Sequence, residues 1–227
     1  MSVWVIIPVK PLRLAKSRLS SVLTPEQRQR FAETMLRHVL HVVQSVPQVT
    51  GTMVISRDNS ALALAREYGA KTVQESGAPE LNAALMRATQ IIKSWRSDAV
   101  LILPADLPLI EAKDVSGIIK MGSDSRCVVI CTDRNKDGTN ALLVRPPGLI
   151  QYVYGPGSYQ RHAVLGRDAG ANVHVYESAR MLHDIDLPED IENFYRILHR
   201  RDYDASMSLS MAFDAIQEEL EQREATG

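Results

Sequence analysis

Apolar residues along the chain alternate between short solid runs and runs at helical spacing. Val3-Trp4-Val5-Ile6-Ile7 is solid, and Ala99–Leu103 is apolar at every position, as a strand covered on both faces requires. Strands are predicted over 3–9, Gly51–Ser56, Lys71–Gln74, 99–103, Arg126–Thr132 and Ala141–Arg145, with short ones at Asn172–Tyr176 and Met181–Asp184. Between them the period changes to that of a helix. Thr24 can cap a helix whose first position suits Pro25 and whose third residue is Gln27. Phe31, Met35, Val39, Val42, Val43 and Val46 then keep helical spacing up to Pro47. Further helices are predicted over Asn59–Tyr68, stopped by Gly69, over Pro79–Trp95 and over Glu111–Met121. After an irregular, Gly-rich stretch another follows Pro156, then Pro188–His199 and a polar amphipathic helix at 207–222.

Alternating strands and helices with short connections predict an α/β fold, a mostly parallel sheet with helices on both faces. No repeat or linker divides the chain, so residues 1–205 read as one domain and 206–227 as a C-terminal helical extension. The 227 residues are 45% apolar and 23% charged, the composition of a soluble globular protein. With 26 basic and 27 acidic residues, net charge −1, the chain lacks the broad basic field of a nucleic-acid binder. Its apolar runs fall short of a membrane span, and the N-terminus lacks a signal-peptide pattern. Cys127 and Cys131 share one predicted strand, about 13 Å apart at roughly 3.3 Å per residue, too far for a disulfide. They read as structural thiols in a reducing cytoplasm.

Against this background the first strand's exit is unusual. Pro8-Val9-Lys10-Pro11-Leu12-Arg13-Leu14-Ala15-Lys16-Ser17-Arg18-Leu19 carries Lys10, Arg13, Lys16 and Arg18 and no acid. Cations there supply charge-assisted donors for phosphate at the edge of a sheet, whereas a solvated turn is the plain alternative. Neither a Walker sequence nor a dinucleotide-binding glycine pattern occurs. Asp106 leaves the solid 99–103 strand between Pro104 and Pro108 and is thereby held stiffly. A fixed carboxylate beside phosphate is what Mg²⁺ takes as a ligand, although Asp-Leu-Pro is also ordinary turn chemistry. Asp184 and Asp186 would share one face of an extended segment, as a second metal-binding pair or as helix caps. Gly155 and Gly157 let backbone approach a ligand, and Ser158 falls where helix N-terminal amides meet an anion. His162 reads as a packing or supporting residue. No nucleophile elbow or zinc-protease helix is present.

In one order along the chain, Pro8-Val-Lys10 with Lys16-Ser17-Arg18-Leu19, Pro104-Ala-Asp106-Leu-Pro108, Gly138-Thr139-Asn140-Ala-Leu142, Gly155-Pro156-Gly157-Ser158 with His162, and Asp184-Ile-Asp186 resemble the CofC/FbiD guanylyltransferases of deazaflavin (coenzyme F-420) biosynthesis. The resemblance covers about residues 1–200. It implies a nucleotidyltransferase-type, Rossmann-like fold with a mixed sheet, and transfer of GMP from GTP to a small phospho-acid with release of pyrophosphate. It further implies that Lys10, Lys16 and Arg18 hold the GTP phosphates and that Asp106 and Asp186, with Asp184, bind Mg²⁺. Thr139, Asn140, Gly155 and Ser158 would contact the phospho-acid, and Asn82 the nucleoside. Glu80 departs from the small residue expected before the Leu81-Asn82 pair.

Such a reaction suits the residues independently. A phosphate oxygen is already an anionic nucleophile, so the protein need only align two polyanions and stabilise charge at the α-phosphate and the leaving group. The resemblance to bacterial members of that family implies phosphoenolpyruvate as the favoured acceptor over 2-phospho-L-lactate and 3-phosphoglycerate. The competing readings are a nucleotidyltransferase for a molybdopterin or sugar phosphate, a non-catalytic nucleotide-binding module, and a glycosyltransferase with an Asp-x-Asp metal site. Neither nucleic acid nor membrane is an expected partner, and a homodimer is compatible with the sequence.

Overall fold

The computed structural model describes residues 1–76, 80–182, 185, 188–191 and 194. Seven strands, β1 (Val3–Val9), β2 (Val49–Ser56), β3 (Lys71–Gln74), β4 (Ala99–Ile102), β5 (Cys127–Thr132), β6 (Thr139–Arg145) and β7 (Asn172–Val175), form one sheet in the order β3-β2-β1-β4-β6-β5-β7. Only β6 runs against its neighbours β4 and β5; the other pairs are parallel. The sheet is mixed and mostly parallel, as the alternation predicts.

Side-chain parity divides each central strand between two cores. Val3, Val5, Ile7, Ala99, Leu101, Leu103, Cys127, Val129, Cys131, Ala141 and Leu143 face one side. Helices α1 (Pro25–Gln44), α2 (Asn59–Glu67) and α4 (Ala112–Met121) cover that side. Ile6, Val100, Ile102, Val128, Ile130, Leu142 and Val144 face the other, under α3 (Leu81–Ser94) and α5 (Ser158–Asp168). Strands buried on both faces must be apolar throughout, which is why β1 and β4 were legible as solid runs. The capping box at α1 is present: Gln27 N–H donates to Thr24 Oγ1 at 3.2 Å, and Thr24 N–H to the Gln27 amide oxygen at 2.6 Å.

Of the predicted strand Met181–Asp184, only Met181 and Leu182 lie among the described residues. Ala179–Met181 is a 3-10 turn rather than the start of a strand at Met181. Its groups are bound by side chains instead of a ladder. Asn140 Nδ2 donates to the Met181 carbonyl at 2.8 Å, and Ser178 and Arg180 both bind the buried Asp114 on α4. Glu111 is the N-cap of α4 rather than its first residue. The predicted helix at 207–222 and the division at 205/206 lie outside the described residues, as does most of Pro188–His199. Among the described residues no helix is long and apolar enough to cross a membrane.

Candidate active site

From β1 the chain builds outward through β2 and β3, then returns to β4 on the opposite flank of β1. Open α/β sheets bind ligands at such a reversal, outside the carboxyl ends of the strands. Both the basic loop, which leaves β1, and Asp106, which follows β4, are at that point. The antiparallel β6 begins where its neighbours end, so Thr139 and Asn140 join the same edge.

The loop is folded as two 3-10 turns, Leu12–Leu14 and Ser17–Leu19. Leu12 is buried in the α1/α2 core, and its N–H donates to Asp58 Oδ2 at 2.7 Å. Leu19 enters a smaller core with Leu23, Phe31, Met35 and Leu109. Leu109 lies just beyond Asp106, so this core draws the two segments together. Between the turns Lys16 adopts the left-handed conformation, φ 54°, which a non-glycine residue rarely takes without compensation. Its side chain, 6% exposed, places Nζ 3.0 Å from Asp106 Oδ2. A strained, nearly buried lysine beside a partly exposed carboxylate is a costly arrangement for a surface turn, which favours a functional reading.

Lys10 and Arg18 are exposed in the same loop. Arg13 instead faces a separate cavity of about 450 Å³ with Arg57, Gln29 and the start of α2. Asp184 and Asp186 lie outside the described residues. Among those described, no group of three or more His, Cys, Asp or Glu side chains is arranged to hold a metal. Asp106 is the expected metal ligand that can be assessed. One of its oxygens meets Lys16, and a hard carboxylate held between two prolines suits Mg²⁺.

At the other end of the edge, Thr139, Ser158 and His162 form a buried cluster. Ser158 Oγ is 3.1 Å from Thr139 Oγ1, which is 3.0 Å from His162 Nδ1, and Val153 N–H donates to His162 Nε2 at 3.0 Å. Gly155 (φ 122°) and Gly157 (φ 71°) take conformations that side-chain-bearing residues rarely adopt and bend the chain into α5. Asp137 fastens that bend, its Oδ1 accepting from Gly157 N–H at 3.1 Å and its carbonyl from Tyr159 N–H at 3.0 Å. Two residues expected to contact ligands also bind within the protein. Asn82 uses its amide on Tyr154, accepting from its N–H at 2.7 Å and donating to its carbonyl at 3.4 Å. Asn140 points its amide nitrogen at Met181.

Burial, with a smaller contribution from Arg161, pushes the His162 pKa down to about 4, and burial also lowers that of His38, bound at Ile110. A histidine kept neutral when folded stabilises the protein above its unfolded pKa and loses that contribution as pH falls toward the folded value. Urea denaturation should therefore show stability falling from pH 6.5 to pH 4, with His162 accounting for on the order of 3 kcal/mol. A flat profile over that window contradicts the assignment.

The residues missed in the sequence are those whose partners are distant. Asp58 ties the loop to α2, accepting from Leu12 N–H and from Ser60 N–H at 2.8 Å. Its place before a helix was the available signal. Asp114 is fully buried and bound by Ser178 Oγ and by Arg180 Nε and Nη2, each at 2.7 Å. Burial raises its pKa, but the bonds from Arg180, Ser178 and the Glu111 N–H outweigh that and hold the carboxyl below its ordinary value.

A basic loop at the reversal point, a carboxylate after the fourth strand and a two-sided α/β sheet are the arrangement expected of a nucleotidyltransferase. The chain belongs to the CofC-like guanylyl transferase family, whose profile matches residues 3–221. It is 40% identical to the phosphoenolpyruvate guanylyltransferase of Rubrobacter xylanophilus over 84% of this chain and 92% of that one. Identity to the 2-phospho-L-lactate guanylyltransferase of Methanothermobacter thermautotrophicus is 34%, over 88% and 86%. A crystal structure from Desulfovibrio desulfuricans G20, provisionally named a nucleotide-diphospho-sugar transferase, superposes with TM-score 0.78 at 16% identity, covering 97% of this chain and 99% of that one.

Proposed function

We propose that this enzyme transfers GMP from GTP to the phosphate of a small phospho-acid in coenzyme F-420 biosynthesis, with phosphoenolpyruvate favoured and 2-phospho-L-lactate second. The observation that carries this reading is the Lys16–Asp106 contact at the reversal point, on the sheet edge that also holds the Thr139–Ser158 cluster. An oxygen of the acceptor phosphate attacks the α-phosphorus of GTP. A P–O bond forms there, the bond to the β-phosphate bridging oxygen breaks, and pyrophosphate leaves with the electron pair.

Lys10, Lys16 and Arg18 bind the triphosphate and offset its charge, so that the second anion can approach. Asp106 would hold Mg²⁺, together with Asp186 and Asp184. When bound, that ion neutralises phosphate charge. Thr139, Ser158 and the Gly155 backbone orient the acceptor. Asn140 supports this wall through Met181, and Asn82 shapes the nucleoside side through Tyr154. Cys127 and Cys131 are free, buried thiols, which agrees with a reducing cytoplasm.

Pyrophosphate release should be measured with GTP and Mg²⁺ against phosphoenolpyruvate, 2-phospho-L-lactate, 3-phosphoglycerate and a hexose 1-phosphate. Turnover with phosphoenolpyruvate, and preference for GTP over ATP and CTP, is the expected result. Turnover confined to the sugar phosphate contradicts it.

A further inference from the structure

We infer that His162 is a positioning residue that makes the Thr139–Ser158 hydroxyl pair a hydrogen-bond donor to the anionic group of the acceptor. The assignment rests on the acceptor site proposed above, and it follows from counting protons.

Val153 N–H can only donate, so His162 Nε2, 3.0 Å away, must present its lone pair. The proton of the neutral ring is therefore on Nδ1, and it is donated to Thr139 Oγ1 at 3.0 Å. The two hydroxyls carry two protons. Their mutual 3.1 Å bond uses one, in whichever direction it runs, and the bond from His162 uses neither. One hydroxyl proton is left over. Ser158 Oγ donates to Thr139 Oγ1, so the proton left over is that of Thr139, which opens β6 and keeps 6% of its surface exposed. A phosphate or carboxylate oxygen is the complementary group.

The opposite tautomer abolishes this. With Nδ1 bare, Thr139 would donate to His162, Ser158 would donate to Thr139, and no proton would remain. It would also set an Nε2–H against the Val153 N–H, as would an imidazolium. The low pKa of His162 agrees with the exclusion of the imidazolium.

Two measurements test this. Nitrogen-15 NMR of the full-length protein should show His162 in the Nδ1–H form from pH 6 to pH 8. His162→Gln keeps an acceptor near the Nε2 position and loses the donor to Thr139, whereas His162→Asn keeps a donor near Nδ1. His162→Gln should raise KM for phosphoenolpyruvate about tenfold or more, with kcat and the KM for GTP changed less than about threefold. His162→Asn should remain within about threefold of wild type on all of these. An Nε2–H tautomer, or two variants with the same acceptor KM, overturns the role. A wild-type enzyme that turns over no phospho-acid overturns the acceptor reading itself. Turnover with an unchanged acceptor KM in His162→Gln overturns the role of His162 alone.

Discussion

Asp106→Asn is expected to lower Mg²⁺-dependent pyrophosphate release by about 10²–10³-fold or more. Asparagine matches aspartate in shape, so the Pro104–Pro108 stretch and the packing of Leu107 and Leu109 should persist. What is lost is a negative charge with two roles. One is the metal binding proposed above, for which it would offer a hard oxygen. The other is to act as counterion to Lys16, whose side chain is almost wholly shielded from water. Replacing this charged partner of Lys16 by a neutral one should cost about 1–2 kcal/mol of stability, discounted because Asp106 is itself one-third exposed. The variant should therefore fold and bind GTP while turning over very slowly. Steady-state assays with a denaturation control check this, and unchanged turnover would remove Asp106 from the chemistry.

Asp114→Ala should have the largest effect on stability, about 2–4 kcal/mol in a guanidinium titration. The carboxylate has no exposure, holds one edge of the Arg180 guanidinium through Nε and Nη2 together with the Ser178 hydroxyl, and closes the start of α4 by accepting from Glu111 N–H at 3.0 Å. Alanine would remove all of these at once. Arg180 is 27% exposed and can turn partly to water, which keeps the loss below that of a fully buried pair. Because the Asp114 pKa is depressed, its contribution is complete above the ordinary carboxylate value of about 4 and is lost as pH falls below it. Acid should thus narrow the gap between variant and wild type. A loss under about 1 kcal/mol at pH 7 contradicts the clamp.

How much of this could be read beforehand follows from the range of each interaction. β1, β3, the α1 capping box and the all-apolar β4 are written in neighbouring residues, and all were legible. Met181, expected to open a strand, instead ends a 3-10 turn whose partners are far off in sequence: Asn140 binds Met181 from 41 residues away, and Asp114 binds Ser178 and Arg180 from 64 and 66. Lys16 and Asp106 were each suspected for their own local oddity. That they touch, 90 residues apart, is a property of the strand order alone. The same holds for Asn82, whose amide bonds to the Tyr154 backbone 72 residues away could not be read from its neighbours. Proton bookkeeping at His162 was invisible for the same reason: a tautomer is set by what faces each nitrogen.

The central claim is that the Lys16–Asp106 end and the Thr139–Ser158 end serve one transfer between two phosphates. Phosphorus-31 NMR of the protein with GTP, Mg²⁺ and phosphoenolpyruvate tests it most directly. The account predicts pyrophosphate together with a new pair of coupled diphosphate signals that join GMP to the acid. Release of inorganic phosphate and GDP, with the phosphoenolpyruvate signal unchanged, would contradict it.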